Sequence, residues 1–97
     1  MYIILLTYVR PIEEIETHIT AHRDFLERHY AAGHLVCSGP RDPRTGGVIV
    51  TRFESDEEVK RFIESDPFYG ANVAEYQTIR FNPTRFDPAF EGFVAPR

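Results

Sequence analysis

The first eight residues constrain the fold of this chain more than any other segment. They are rich in β-branched and aromatic side chains and end just before Arg10-Pro11, a pattern that predicts a strand. Alternation along that strand places Ile3 and Leu5 on one face. The other face carries Tyr2, Ile4, Leu6 and Tyr8. Neither face suits water, so the segment predicts a strand in the centre of a sheet, with apolar surface on both sides.

A long amphipathic helix follows this strand. Pro11 suits the first turn of a helix, Glu13 and Glu14 place negative charge near its positive end, and Gly33 suits a left-handed C-cap. Side chains that suit a buried face recur between these limits at steps of three and four residues. They are Ile12, Ile15, Ile19, His22, Leu26 and His29. The pattern predicts one helix from Pro11 to near Gly33.

The remainder of the chain predicts three more strands and a second helix. Ser55 followed by Glu58 is a capping box that begins the helix, and Pro83 ends the last strand by denying it a backbone donor. The predicted elements are strands at 34–38 and 48–53 around a turn-rich loop at 39–47, a helix at 56–65 and a strand at 76–81. The order of elements is therefore β-α-β-β-α-β.

This order is that of the ferredoxin-like plait, an α+β fold in which two helices cover one face of a four-stranded antiparallel sheet. The other face, which includes Ile3 and Leu5, is open in a single chain. Because an exposed apolar sheet face is typical of an interface, we expect a homodimer joined sheet to sheet. We assign residues 1–82 to the domain and residues 83–97 to a carboxyl-terminal arm that packs on the partner subunit.

Charge and cysteine content exclude several classes of function. The 97 residues suffice for one domain, and their 11 basic and 15 acidic side chains give a formal net charge of -4. This balance argues against a nucleic-acid partner. The single Cys37 forms no internal disulfide, and the longest apolar run, from Ile3 to Leu6, is too short to cross a membrane. Since no signal-peptide pattern is present either, we expect a cytoplasmic protein that binds no membrane.

Two residues are candidates for acid-base chemistry. His22 occupies a position of the helix stripe where a core residue is expected, so it is either a core histidine bonded to a backbone carbonyl or an imidazole that faces a pocket. Asp66 precedes Pro67, where it is either an N-cap or a partner for a side chain of the first helix. If His22 and Asp66 meet, the carboxylate fixes the imidazole tautomer and the pair can act as a general acid-base.

Three further side chains are assigned from their local position. Ser38 ends the second strand beside Gly39, where its hydroxyl serves either the turn or a bound polar substrate. Arg23 is a second group that can hold an anion. Cys37 alternates with Ser38 along the strand, so we expect it on the opposite face, in the core with Leu35 rather than as a reactive thiol.

Metal and cofactor sites are not favoured by the sequence. His18 and His22 lie four residues apart on one helix face with Glu14 in the same row, but this row lacks a convincing further ligand. The glycine-containing loop has neither a P-loop lysine nor a G-x-G-x-x-G pattern. We therefore predict a protein without a metal or other cofactor.

Short motifs along the chain resemble those of the YCII-related family in order and spacing. They are His22, Phe25-Leu26, Gly33, Ser38-Gly39-Pro40, Gly46-Gly47 and Asp66-Pro67-Phe68. The resemblance implies a dimeric α+β barrel of ferredoxin-like subunits, in which a histidine and an aspartate form a catalytic dyad in a pocket. These residues fall on His22 and Asp66, and the pocket serine falls on Ser38. The tail after Asn82 departs from the shorter family form.

The favoured hypothesis is a small-molecule enzyme in which His22, oriented by Asp66, moves a proton on a small organic acid, a lactone or a halogenated metabolite. One branch of the family is associated with dechlorination. Elimination and isomerisation need only a base and an anion-holding group, which Ser38 or Arg23 supplies. The alternative is a non-catalytic metabolite-binding or assembly module of the same fold. A third hypothesis, haem binding or oxidation of aromatic polyketides as in related dimeric barrels, rests on fold analogy alone.

Overall fold

A computed structural model describes residues 1–94 as a four-stranded sheet with helices packed against it. The strands are β1 (Tyr2–Tyr8), β2 (Leu35–Pro40), β3 (Gly46–Thr51) and β4 (Ala74–Arg80). The helices are α1 (Ile12–Ala31), α2 (Asp56–Ser65), the one-turn α3 (Pro67–Gly70) and a 3₁₀ helix (Pro88–Phe93).

The sheet has the strand order β2-β3-β1-β4, and each neighbouring pair is antiparallel. This confirms the ferredoxin-like α+β fold and the central place of β1. Tyr2, Ile4 and Leu6 are buried under the helices. Ile3 lies on the opposite face, where its neighbours in the register are Val50 of β3 and Ile79 of β4. Ile79 is 48% exposed, so in one chain this second face carries accessible apolar surface.

The hydrophobic core lies between the buried face of β1 and the apolar stripes of the two long helices. Its helical members are Ile15 and Phe25 of α1, Val59 and Phe62 of α2, and Phe68 of α3. Burial of a side chain of this size contributes roughly 1.5–3 kcal/mol to folding. Because α1 and the α2–α3 segment rest on the same sheet, the middle of α1 meets the junction between α2 and α3.

The end of α1 follows from Gly33. This residue adopts a positive φ of 79°, which glycine reaches without steric cost. Its N–H donates to the carbonyl of Tyr30, and the N–H of His34 donates to the carbonyl of His29, both at 3.0 Å. These two bonds form a Schellman motif that satisfies carbonyls at the end of the helix. The predicted helix end is confirmed.

The β2–β3 loop is shorter than predicted, because β2 continues through Pro40 and β3 begins at Gly46. The glycines at this end of β3 belong to the sheet rather than to the loop. A Cβ atom at Gly46 would overlap the carbonyl group of Leu6 on the neighbouring strand. Gly46 is therefore needed for close approach of two strands, a role that local turn propensity does not reveal.

The prediction that Cys37 packs in the core with Leu35 is wrong. Leu35 pairs with Thr51, whereas Cys37 pairs with Val50, so a bulge inserts one extra residue between them. The extra residue reverses the alternation of side chains along β2. Leu35 is buried as a result, while Cys37 is an exposed free thiol on the opposite face.

The second helix begins at the predicted capping box. The N–H of Glu58 donates to the hydroxyl oxygen of Ser55, and the Glu58 carboxylate accepts from that hydroxyl and from the N–H of Glu54, each at 3.2 Å. The helix ends at Ser65, as predicted. Asp66 then separates α2 from α3, which places this one residue between two helix ends.

The described part of the tail folds back toward its own chain. Asp87 caps the 3₁₀ helix, and Phe93 and Val94 line a surface depression together with Arg52 and Arg80. Residues 95–97 of the predicted arm lie outside the described residues, and packing of the arm on a partner stays a prediction. Within residues 1–94, none of the helices has the length and apolar character required to cross a membrane.

Candidate active site

His22 lies in the middle of α1 and is 8% exposed. The imidazole stacks on the ring of Phe68, with centroids 4.0 Å apart and planes within 5° of parallel. Its Nδ1 atom lies 2.8 Å from Oδ1 of Asp66. The apolar stripe of α1 therefore carries an imidazole whose plane is fixed by stacking on Phe68 and whose Nδ1 atom is held by the carboxyl group of Asp66.

Asp66 is 1% exposed and is held by three hydrogen bonds. Its Oδ1 accepts from the backbone N–H of Phe68 at 3.0 Å as well as bonding to His22. Its Oδ2 accepts from the hydroxyl of Tyr76 at 2.8 Å. Asp66 is thus both the N-cap of α3, with Pro67 in the first helical position, and the partner of His22. The two roles that the sequence offered as alternatives are therefore both filled by the same carboxylate.

Tyr76 is a member of this cluster that the sequence argument missed. Burial, and then the negative charge of Asp66, raise the pKa of the Tyr76 hydroxyl far above its usual value. The hydroxyl therefore stays protonated and donates a hydrogen bond to Oδ2. Tyr76 shares the helix-facing side of β4 with buried Ala74, and this alternation is the only sequence signal that points to it.

The hydrogen-bond pattern around Asp66 selects the tautomer of neutral His22. A carboxylate is an acceptor only, so the bond to His22 requires a proton on Nδ1. The other ring nitrogen, Nε2, then carries a lone pair. Among residues 1–94, no buried side-chain nitrogen or oxygen lacks a hydrogen-bond partner. Because His22 bonds through Nδ1, its free Nε2 is on the accessible edge of the ring.

His22 lines a cavity of about 460 Å³ between α1 and the β2–β3 hairpin. Apolar side chains form much of its wall: Leu6, Ile19, Leu26, Ile49 and Phe68. The polar side chains of His22, Tyr30 and Ser38 also line it. Asp66 does not line the cavity, so it can act on a ligand there only through His22.

The other two predicted site residues also line this cavity. Ser38 projects from β2, and its Oγ lies 2.7 Å from the hydroxyl of Tyr30 on α1. Arg23 lies on α1 next to His22 and is exposed. The structure therefore brings His22, Ser38 and Arg23 to one cavity, with Asp66 behind the imidazole. Tyr30, which the sequence argument treated only as a flank of the helix stripe, is a further polar group of the wall.

Opposite charges meet at the rim of the cavity. Nη1 of Arg44, from the β2–β3 loop, lies 2.8 Å from Oε1 of Glu16 on α1. The Arg44 guanidinium is always charged, and the bond to Glu16 raises its pKa further. Both side chains are exposed, so this ion pair adds little to stability. It places a cation and its paired anion together at the entrance to the cavity.

A pair of imidazoles lies outside the cavity, between the end of α1 and the start of β2. Nδ1 of His29 lies 2.9 Å from Nδ1 of His34, among the rings of Phe53 and Phe62. Burial, and then the charges of His34 and Arg28, lower the pKa of His29 below 6.5. In the described residues 1–94, neither this pair nor the row that contains His18 is part of a cluster of three groups arranged to hold a metal ion.

A model of the YCII-related domain matches residues 1–82 of the chain. The chain belongs to the YCII-related family. The resemblance drawn from the short motifs is thereby confirmed. The uncharacterized protein YjpA of Bacillus subtilis strain 168 is 31% identical to it over 75 residues, which are 77% of this chain and 88% of YjpA.

A solved structure of the family has the same fold. It is 5-chloro-2-hydroxyhydroquinone dehydrochlorinase, TftG, of Burkholderia phenoliruptrix AC1100, in complex with 2,5-dihydroxybenzoquinone. This YCII-related chain aligns to TftG with a TM-score of 0.67 and 26% identity, over 84% of its own length and 93% of TftG. A member of the family with this fold is thus an enzyme that acts on a small molecule.

Proposed function

We propose that this YCII-related protein is a small-molecule enzyme that transfers a proton between its ligand and Nε2 of His22. One observation carries the proposal: the Nδ1 edge of the imidazole is bonded to buried Asp66 at 2.8 Å, while the ring lines a cavity. In this proposal His22 is the general base and Asp66 is a positioning residue, which holds the tautomer and stabilises the imidazolium once the proton has moved.

A base at this position supports elimination of a halide. Nε2 takes a proton from the carbon next to the halogen-bearing carbon, and the electron pair of that C–H bond forms a new double bond. The halide leaves with the electron pair of the carbon–halogen bond. The same base supports isomerisation when the imidazolium returns its proton to a different carbon. Neither reaction requires an oxidant or a reductant, because neither is a net oxidation or reduction of the ligand.

The size and lining of the cavity indicate the class of ligand. Its volume of about 460 Å³ lies in the range of small-molecule sites. An apolar wall with hydroxyl groups, lined also by Arg23 and Arg44 and by Glu16 and Glu27, suits a small organic acid, a lactone or a ring with oxygen substituents. TftG, a dehydrochlorinase solved with 2,5-dihydroxybenzoquinone, supports the last of these. Ser38 and Arg23 are the groups that we assign to the negative charge that develops on an oxygen substituent of the ligand as the proton leaves.

The proposal extends to the assembly and location of the protein. We propose a homodimer joined across the sheet face that bears Ile3 and Ile79, because that face carries accessible apolar surface in a single chain. We also propose a cytoplasmic location. The cysteine content agrees with this location, since the single Cys37 forms no internal disulfide.

The test is a turnover screen of halogenated hydroquinols, halogenated acids and lactones, followed as halide release or a change in absorbance. The wild-type protein is compared with His22→Gln, which keeps a polar side chain without a base. Turnover that falls at least about 100-fold in His22→Gln, the usual contribution of a general base, supports the proposal. Equal turnover by the two proteins refutes it. Binding without turnover across the screen favours the alternative, a metabolite-binding module.

A further inference from the structure

The cavity has a second polar end, formed by Tyr30 and Ser38. Tyr30 lies two helical turns after His22 on α1, and its hydroxyl reaches Oγ of Ser38 on β2 at 2.7 Å. Leu26 lies midway between His22 and Tyr30 and lines the same cavity. Residues four apart share a helix face, so this stretch of α1 presents a polar, an apolar and a polar side chain in turn.

The two hydroxyl groups together have an unused donor. Each hydroxyl carries one hydrogen, and their mutual bond consumes one of the two, whichever group donates. Within the described residues this bond is the only side-chain hydrogen bond that either hydroxyl makes. The second hydrogen is therefore left to donate into the cavity, beside free lone pairs on both oxygens. Such a pair can bind a carbonyl, phenolate or carboxylate oxygen.

The distance along α1 restricts the shape of a ligand that uses both ends. Eight residues at 1.5 Å each separate His22 from Tyr30 by about 12 Å along the helix axis. Side chains at these two positions suit a ligand with an apolar middle and polar groups at opposite ends. A single ring substituted at opposite positions has this shape.

We propose that the Tyr30–Ser38 hydroxyl pair binds an oxygen substituent of the ligand at the end of the molecule remote from the proton that His22 removes. This inference rests on the proposed function of His22, and it adds Tyr30 as a binding residue and a two-ended ligand as the substrate class. The pair acts as one unit, because removal of either hydroxyl also removes the bond that orients the other.

The experiment measures binding of 2,5-dihydroxybenzoquinone, whose absorbance reports its environment, to the wild-type protein and to Tyr30→Phe, Ser38→Ala and the double variant. Each single change is expected to weaken binding about tenfold, the effect of one hydrogen bond. The double variant is expected to bind no more than about threefold weaker than the weaker single variant, since contacts in one network are not additive. Tyr69→Phe and Ser65→Ala are matched controls, because both hydroxyls lie outside the cavity.

A merely structural link between α1 and β2 is distinguished by chemical denaturation of the same variants. Weaker binding at an unchanged unfolding free energy supports the inference. Wild-type affinity in both pair variants, or a loss confined to one of them, overturns it and leaves the role of His22 intact. Failure of the wild-type protein to bind the quinone removes the ring-shaped ligand class, and this inference falls with it. In contrast, quinone binding without any effect of His22→Gln on turnover refutes only the proton-transfer proposal.

Discussion

Replacement of Asp66 by alanine is expected to destabilise the protein far more than loss of a helix cap. The carboxylate is 1% exposed and accepts hydrogen bonds from Phe68, His22 and Tyr76. Loss of the cap alone costs about 1 kcal/mol. The change also leaves Nδ1 of His22 and the hydroxyl of Tyr76 without their buried partner, at about 1–3 kcal/mol each. We therefore expect a decrease of about 3–7 kcal/mol in the free energy of unfolding, a range that includes the roughly 3–5 kcal/mol lost when one member of a buried charged pair is removed.

Two further variants separate the contributions. Asp66→Asn keeps the cap, and its amide can still accept from His22 and bond to Tyr76, so we expect a loss of only about 1–2 kcal/mol from the weaker neutral bonds. Asp87→Ala removes the exposed cap of the 3₁₀ helix in another Asp-Pro pair and is expected to cost about 0.5–1 kcal/mol. Urea denaturation followed by circular dichroism gives all three values. If Asp66→Ala is no more damaging than Asp87→Ala, the buried network adds nothing to stability.

Three further predictions address other parts of the molecule. The pKa of His29 is lowered in the fold, so the unfolded chain binds a proton first as the pH falls, and stability present above about pH 6.5 is lost below it. Urea denaturation at several pH values should show that the unfolding free energy of His29→Gln depends less on pH than that of the wild type. Equal pH dependence in the two proteins would contradict this. Gly46→Ala forces a Cβ onto the Leu6 carbonyl and is expected to lower the unfolding free energy by about 1–3 kcal/mol, measured by denaturation. The control Gly39→Ala, with open space around the new Cβ, should lower it far less. Similar losses in the two variants would show that β3 can shift to make room. Light scattering should report a homodimer that Ile79→Lys converts to a monomer, and a wild-type monomer at micromolar concentration would remove the sheet-to-sheet interface.

Local signals in the sequence predicted the framework of the fold. The two-faced apolar pattern of β1 indicated the central strand, and Gly33 and the Ser55 capping box marked helix ends, because these features depend on neighbours along the chain. The ends of the two hairpin strands were harder to predict from the sequence. Gly46 resembles a turn residue locally, yet a glycine is required there because the carbonyl of Leu6 on the neighbouring strand leaves no room for a Cβ. The bulge before Cys37 likewise depends on the register with β3, which no local pattern contains.

The candidate site shows the same division. Position on the helix stripe and beside a proline singled out His22 and Asp66, and the YCII-related motifs added the expectation that they meet. Tyr76 and Tyr30 were missed because each is recognised only through its partner, Asp66 or Ser38, on another element. A tyrosine in a strand or on a helix stripe suits packing equally well. Only the folded chain distinguishes a packing ring from a hydroxyl that serves a polar group.

The most direct test of the central claim is the protonation pattern of the His22 ring at a pH where it is neutral. Nitrogen-15 NMR of histidine side chains distinguishes a protonated Nδ1 from a protonated Nε2. We predict a proton on Nδ1, bonded to Asp66, and a bare Nε2 facing the cavity, with this preference weakened in Asp66→Asn because an amide oxygen is a poorer acceptor than a carboxylate. A proton on Nε2 in the wild-type protein would contradict the account, since that nitrogen would then have no lone pair with which to take a proton from a ligand.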